Sequence, residues 1–136
     1  AMMGKYSIFD TFTDMPEINA RAKQVIRRLI RKYGRPIDYG RNRLVFANAR
    51  VVLKFPRGAA GEADNCWEGS CQGPTKARGK RIMLDGFICV MQERLQRIYS
   101  DVPRPKTLPS WVDSVDCQQV GYDRQGRLRA YDFGTR

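Results

Sequence analysis

The apolar residues between Pro16 and Tyr33 recur at helical spacing: Ile18, Ala22, Val25, Ile26, Leu29, Ile30 and Tyr33. That period predicts one long helix with a single buried face. Asp14 is placed to cap it, Pro16 and Glu17 suit its first turn, and Gly34 followed by Pro36 supplies a stop. From Ile37 the pattern changes to short β-type runs, RLVFAN and RVVLKFP, joined by the tight connection Asn48, Ala49 and Arg50. These runs predict a hairpin. An amphipathic helix followed by short strands points to an α+β fold, in which a small antiparallel sheet covers the helix stripe.

Further along, GAAGEADNCWEGS holds two glycines and a short helical stretch around Glu62 to Glu68, and SCQGPTKARGKR reads as an exposed basic loop. RIMLDGFICVMQERL gives two more strands, meeting near Asp85 and Gly86 and apolar enough for a buried sheet. Pro103, Pro105 and Pro109 punctuate Arg97 to Ser110, which reads as a linker or partly helical crossover. DCQQVGYDRQGRLRAYDFG predicts a hairpin turning at Asp123, Arg124, Gln125 and Gly126. With no internal repeat, 136 residues fit a single domain with a real core.

The formal net charge is +11, which attracts polyanions without saying which kind. On the predicted helix the outer face carries Arg21, Lys23, Arg27, Arg28, Arg31 and Lys32. Such a face is either solvated, or docks an acidic protein, or meets nucleic acid together with the KARGKR loop. Arg27, Arg28 and Arg31 are the candidate partner-binding residues. No zinc finger, basic zipper or RNP-type aromatic motif accompanies the charge. Cys66, Cys71, Cys89 and Cys117 are expected as free thiols, a Cys66 to Cys71 disulfide requiring an oxidising setting. The absence of histidine and of a CxxC pair argues against zinc. No run approaches the roughly 20 apolar residues that span a bilayer, and the start lacks a secretory layout, so the expected location is cytoplasmic with no membrane partner.

Four pieces stand in a telling order: VVLK ending at Lys54, then Glu68, then VMQER, then YDFG closing the last hairpin. Together they resemble the protein-kinase-like superfamily, in particular the small kinase-like proteins of bacteria and their phages, over Tyr39 to Gly134. The resemblance implies a sheet lobe plus the metal-loop hairpin. In that family the strand lysine grips nucleotide phosphates and is oriented by a helix glutamate, so Lys54 and Glu68 are expected to face each other. Asp132 takes the place of the aspartate that ligates magnesium across the phosphates, Gly40 lies in the phosphate-covering loop, and Mg-ATP is the implied cofactor.

The sequence departs from the family in three places. YGRNRLVF offers a single glycine, with Arg41 and Arg43 beside it as anion contacts or exposed hairpin charges. The family's metal-binding asparagine falls at Gln119 and its catalytic aspartate at Ser114, leaving Asp113 and Asp116 as substitute bases in a shifted loop. Only Thr135 and Arg136 follow Gly134, so no peptide platform is expected. The implied function is a non-catalytic kinase-like binding protein that engages an acidic host protein through its basic surface, in the host cytoplasm if phage-encoded. The alternatives are a divergent Mg-ATP-dependent phosphotransferase and a nucleic-acid-binding module.

Overall fold

The computed structural model describes residues 7–133, so Gly134 of the YDFG motif lies outside the described residues. Helix α1 spans Pro16–Tyr33, as its apolar period requires. It is followed by β1 (Asp38–Tyr39), β2 (Arg43–Ala47), β3 (Val51–Pro56), α2 (Ala59–Ser70), β4 (Gly79–Leu84) and β5 (Phe87–Glu93). Short strands β6 (Gln96–Arg97), β7 (Val120–Tyr122) and β8 (Leu128–Ala130) complete the order, with single 3-10 turns at Ser110–Ser114 and Asp116–Gln118 before β7. The class is α+β. The strands form two antiparallel sheets, where a small sheet plus the last hairpin was expected: a five-stranded sheet ordered β1-β2-β3-β5-β4 and a three-stranded sheet ordered β6-β7-β8, in which β6 joins that hairpin. The division arises because the chain leaves β5 and pairs Gln96 and Arg97 with Tyr122 and Gly121, starting a second sheet.

Side chains of a strand alternate between faces, so the first sheet sorts its residues into two layers. One layer presents Leu44, Phe46, Leu53, Phe55, Phe87 and Cys89 to the α1 stripe of Ala22, Val25, Ile26 and Leu29. Each fully buried aliphatic or aromatic side chain there contributes about 1.5–3 kcal/mol. Ile8 and Phe12, from the turn before α1, close this core, and the Phe12 and Phe55 rings each lie 5.2 Å from Phe87. Asp14 does not cap the helix. Met15 holds the cap position, and the Asn19 side chain instead donates to the Thr11 carbonyl at 2.5 Å, fastening the preceding turn to the first helical turn.

The other layer faces α2, which is longer than expected and lies close against the sheet. Gly61 makes the approach possible: a Cβ there would sit 2.1 Å from the Asn42 carbonyl oxygen. Asn65 pins the same helix by donating to the carbonyls of Lys54 (3.2 Å) and Ile88 (2.8 Å). Between β4 and β5, Asp85 and Gly86 both take positive φ, the two-residue turn that suits the twist of a hairpin.

One expected loop is corrected, and of the two readings of another the linker stands. The stretch SCQGPTKARGKR is not simply an exposed basic loop. Ala77 is buried and donates to the Ala130 carbonyl (2.8 Å), while Ala130 N–H donates to Thr75 (2.7 Å), so residues 75–77 are sewn onto the edge of β8, and Gly79–Arg81 belong to β4. An unpaired strand edge needs such partners for its N–H and C=O groups. Between Arg97 and Ser110 there is no helical crossover: Ile98 and Val102 form an isolated bridge, and helical turns begin only at Ser110. Three prolines deprive that stretch of backbone donors. A second small core of Ile98, Val112, Val120 and Ala130 sits under the three-stranded sheet.

Candidate functional site

Lys54 lies on β3 in the layer that faces α2, and Glu68 lies two residues before the end of α2. Their charged ends meet at 2.8 Å between Nζ and Oε1. Lys54 Nζ also donates to the Tyr131 carbonyl, tying β3 to the strand exit of the second sheet. The other carboxylate oxygen of Glu68 accepts from Arg43 Nη2 at 2.9 Å and from the Phe133 N–H at 3.0 Å. Arg43 Nη2 reaches Asp132 Oδ1 at 2.7 Å, and Nη1 donates to Asn65 Oδ1 at 3.1 Å. Two cations and two carboxylates, drawn from β2, β3, α2 and the segment after β8, thus form one closed network. The Glu68, Lys54 and Arg43 side chains are almost wholly buried, while that of Asp132 remains 37% exposed.

Electrostatics follow from this packing. Burial works against the charge on Glu68, but Lys54 and Arg43 beside it outweigh burial and hold its carboxyl below the usual range. Burial lowers the Lys54 ammonium from its ordinary value, a shift that Glu68 opposes and Arg43 reinforces. For Arg43 burial is again the largest influence, yet the Glu68 hydrogen bond and the charges of Glu68 and Asp132 keep it raised. Burial likewise pushes the Tyr131 phenol up, with Arg97 over its ring at 5.5 Å pulling the other way. The remote Cys89 thiol, pushed up to about 12 by burial and then by Glu62, is no nucleophile.

Of the two arginines flanking Gly40, only Arg41 is an exposed hairpin charge; Arg43 is buried in the network. A signal for this existed in the sequence, since Arg43 shares strand parity with Val45 and Ala47. A cavity of about 260 Å³ opens beside the network, lined by Gly40, Arg41, Arg43, Lys54, Gln92 and Asp132 and also by Gln119 and Tyr131. Gly40 and Gln119 therefore do lie at the cleft, although Gln119 also uses its backbone carbonyl to accept from Tyr131 (3.1 Å).

Asp113 and Asp116 do not reach this cleft. Both are exposed on a second depression, of about 740 Å³, beyond the Tyr131–Phe133 segment and shared with Thr75, Lys76 and Trp111. Asp132 borders both hollows. Asp113 accepts from Gln118 at 3.3 Å, and the loop reverses through Cys117 and Gln118 in left-handed backbone. Asp113 and Asp116 thus share a hollow with Asp132, and Lys54 lines the other one.

Asp132 and Gln119, the two residues the resemblance implies for magnesium, line the same cavity. Magnesium takes hard oxygen ligands in near-octahedral array, whereas Asp132 Oδ1 is already held by a guanidinium and both Glu68 oxygens are engaged. Among the described residues no three Asp, Glu or Cys side chains gather into a set that would hold a metal. On α1, Arg27, Arg28 and Arg31 border one shallow depression with Gln24 and Asp85. Arg28 pairs with Asp85, Arg27 stacks over the Phe9 ring at 5.4 Å, and Arg31 enters none of the ion pairs among the described residues. Among the described residues no helix is long and apolar enough to cross a membrane. Compared with known proteins, the chain matches no family model, no curated protein and no solved structure.

Proposed function

We propose that this chain is a non-catalytic binding module with kinase-like organisation, engaging an acidic protein surface through the arginine face of α1. The observation that carries the reading is the place of Arg43. Its guanidinium joins Glu68 to Asp132, so groups that would handle a metal-bound phosphate are spent on one another. What is left for a partner is the outer face of α1, where Arg27, Arg28 and Arg31 flank a single depression. A rim of that kind steers an acidic partner into encounter.

The test is charge reversal. Arg27→Glu, Arg28→Glu and Arg31→Glu together are expected to leave the fold intact, because exposed substitutions shift stability by no more than about 0.5 kcal/mol each. Capture of acidic proteins is expected to fall through slower association. Unchanged capture at low and moderate salt would overturn the interface, and loss of binding to arbitrary DNA with protein capture untouched would transfer the role to nucleic acid. Phosphate transfer from labelled ATP, abolished by Asp132→Asn, would overturn the non-catalytic half.

A further inference from the structure

The five-stranded sheet ends on one side at β1, a strand of 2 residues, and on the other at β4, a strand of 6. Backbone groups of an antiparallel edge strand alternate between the ladder and the outside. The parity of β4 is fixed at both ends. The Glu93 N–H donates to the Arg78 carbonyl at 2.8 Å, and the two-residue turn at Asp85 and Gly86 pairs Leu84 with Phe87. Lys80, Ile82 and Leu84 therefore direct their N–H and C=O groups to β5, whereas Gly79, Arg81 and Met83 turn theirs outward. The Gly79 N–H meets the Gln72 side chain at 3.3 Å, but the backbone groups of Arg81 and Met83 find no partner among the described residues.

The side chains of this edge are apolar or basic. Met83 is 59% exposed. Lys80 and Arg81 are exposed on opposite faces of the strand, and neither enters an ion pair among the described residues, although Arg81 donates to Cys66 Sγ at 2.8 Å. The carboxylates nearby are engaged: Asp85 by Arg28, Glu93 by Arg78 and Arg129, and Glu62 by the Ile88 N–H at 3.0 Å.

We infer that the outer edge of β4 takes up an extended acidic segment of the partner protein as an added strand, its backbone paired with Arg81 and Met83 and its carboxylates set against Lys80 and Arg81. The acidic nature of the partner rests on the function proposed above; the strand-wise mode of capture rests on β4 alone. In strand addition main-chain hydrogen bonds give affinity and alternate side chains give specificity. Charge decides between occupants. A second copy of this chain would bring another net charge of +11 and another set of edge cations, the means by which sheet edges resist pairing with themselves. An acidic strand turns the same cations into cross-strand attraction. Edge and helix face are also continuous, because Asp85, the residue after β4, borders the depression formed by Arg27, Arg28 and Arg31.

The probe is a short amidated peptide in which glutamate alternates with valine, titrated against the full chain by fluorescence anisotropy, with amide exchange followed by NMR. Saturable binding is expected, at least tenfold tighter than for the same peptide with lysine in place of glutamate. In the complex the Arg81 and Met83 amides are expected to exchange at least tenfold more slowly, while those of Ile82 and Leu84, already in the ladder, change little. Met83→Pro is expected to keep the fold, since the lost N–H faces outward and edge strands accept proline there, and to abolish binding. Four results overturn the inference: no saturable binding at millimolar peptide, equal affinity for the lysine peptide, unchanged exchange of the Arg81 and Met83 amides in the complex, or binding that survives in a folded Met83→Pro. A free chain that is already dimeric with those amides protected overturns it in favour of a second copy. If Met83→Pro unfolds, Lys80→Glu with Arg81→Glu serves in its place with the same expected loss. Peptide binding that leaves the amides unprotected and vanishes with Arg27→Glu, Arg28→Glu and Arg31→Glu would overturn strand addition and leave the α1 interface standing. Protected amides with partner capture unchanged in that triple variant would support the β4 site and remove α1.

Discussion

Glu68 is the residue on which the ion network closes, because it alone touches both cations. Glu68→Ala leaves Lys54 a buried charge without a carboxylate and Arg43 with Asp132 alone, and breaking a buried pair in this way costs about 3–5 kcal/mol. Lys54→Met is expected to cost less, since Glu68 keeps Arg43 at 2.9 Å and the Phe133 N–H at 3.0 Å. Asp132→Asn, partly exposed and still offering an oxygen to Arg43, is expected to cost no more than about 1 kcal/mol. Urea unfolding at pH 7 gives the order directly, and equal losses for Glu68→Ala and Asp132→Asn would show that the network is not centred on Glu68. The Lys54–Glu68 contact, 14 residues apart, was expected only through the resemblance to the kinase-like superfamily. The burial of Arg43 was readable from its strand parity, but its contact with Asp132 was not, because the two lie 89 residues apart and no local pattern reports such a contact.

At the level of elements, the close seating of α2 depends on one missing methyl group. Gly61→Ala would place its Cβ 2.1 Å from a backbone oxygen of Asn42, which cannot rotate away. The helix must shift outward, at a cost of about 1–3 kcal/mol by the usual toll of overpacking, and Glu68 moves with it. Unfolding measurements on Gly61→Ala should therefore show a loss well above that of Ala63→Gly on the exposed side of the same helix, where only the helix preference of about 1 kcal/mol is at stake. Element boundaries were readable wherever the period was strong or the turn residues special, as at Pro16–Tyr33 and at Asp85–Gly86. They were unreadable where a tertiary neighbour decides the outcome. The TKAR stretch has no strand signal of its own and becomes ordered by lending its backbone to β8, and Asn19 does the anchoring that Asp14 was expected to do by capping.

Over the whole molecule, two buried carboxylates tie stability to acid pH. Asp123 meets the burial that would raise its carboxyl, but Arg129 at 2.7 Å and the N–H groups of Arg127 and Gln125 hold it below the usual range, as Lys54 and Arg43 do for Glu68. Below the unfolded values, about 3.9 for Asp and 4.3 for Glu, the unfolded chain takes up protons that the folded chain refuses. The stabilisation is therefore full above that range and is lost as pH falls through the lower folded values. Thermal unfolding is expected to show a lower Tm at pH 3 than at pH 6, with Asp123→Asn flattening the slope; a Tm independent of pH across that range would remove these groups from the account. The stitching of residues 75–77 onto β8, and of Lys54 onto Tyr131, also orders events in time. The α1 stripe and the β2–β3 hairpin can meet from residues near one another, but the charges beneath α2 find their last partners only when residues 130–133 arrive across separations of 65 to 89 residues. Closing loops that long is slow relative to local pairing, so the contacts of residues 130–133 with the polar interior are expected to form after the local pairings of the first sheet.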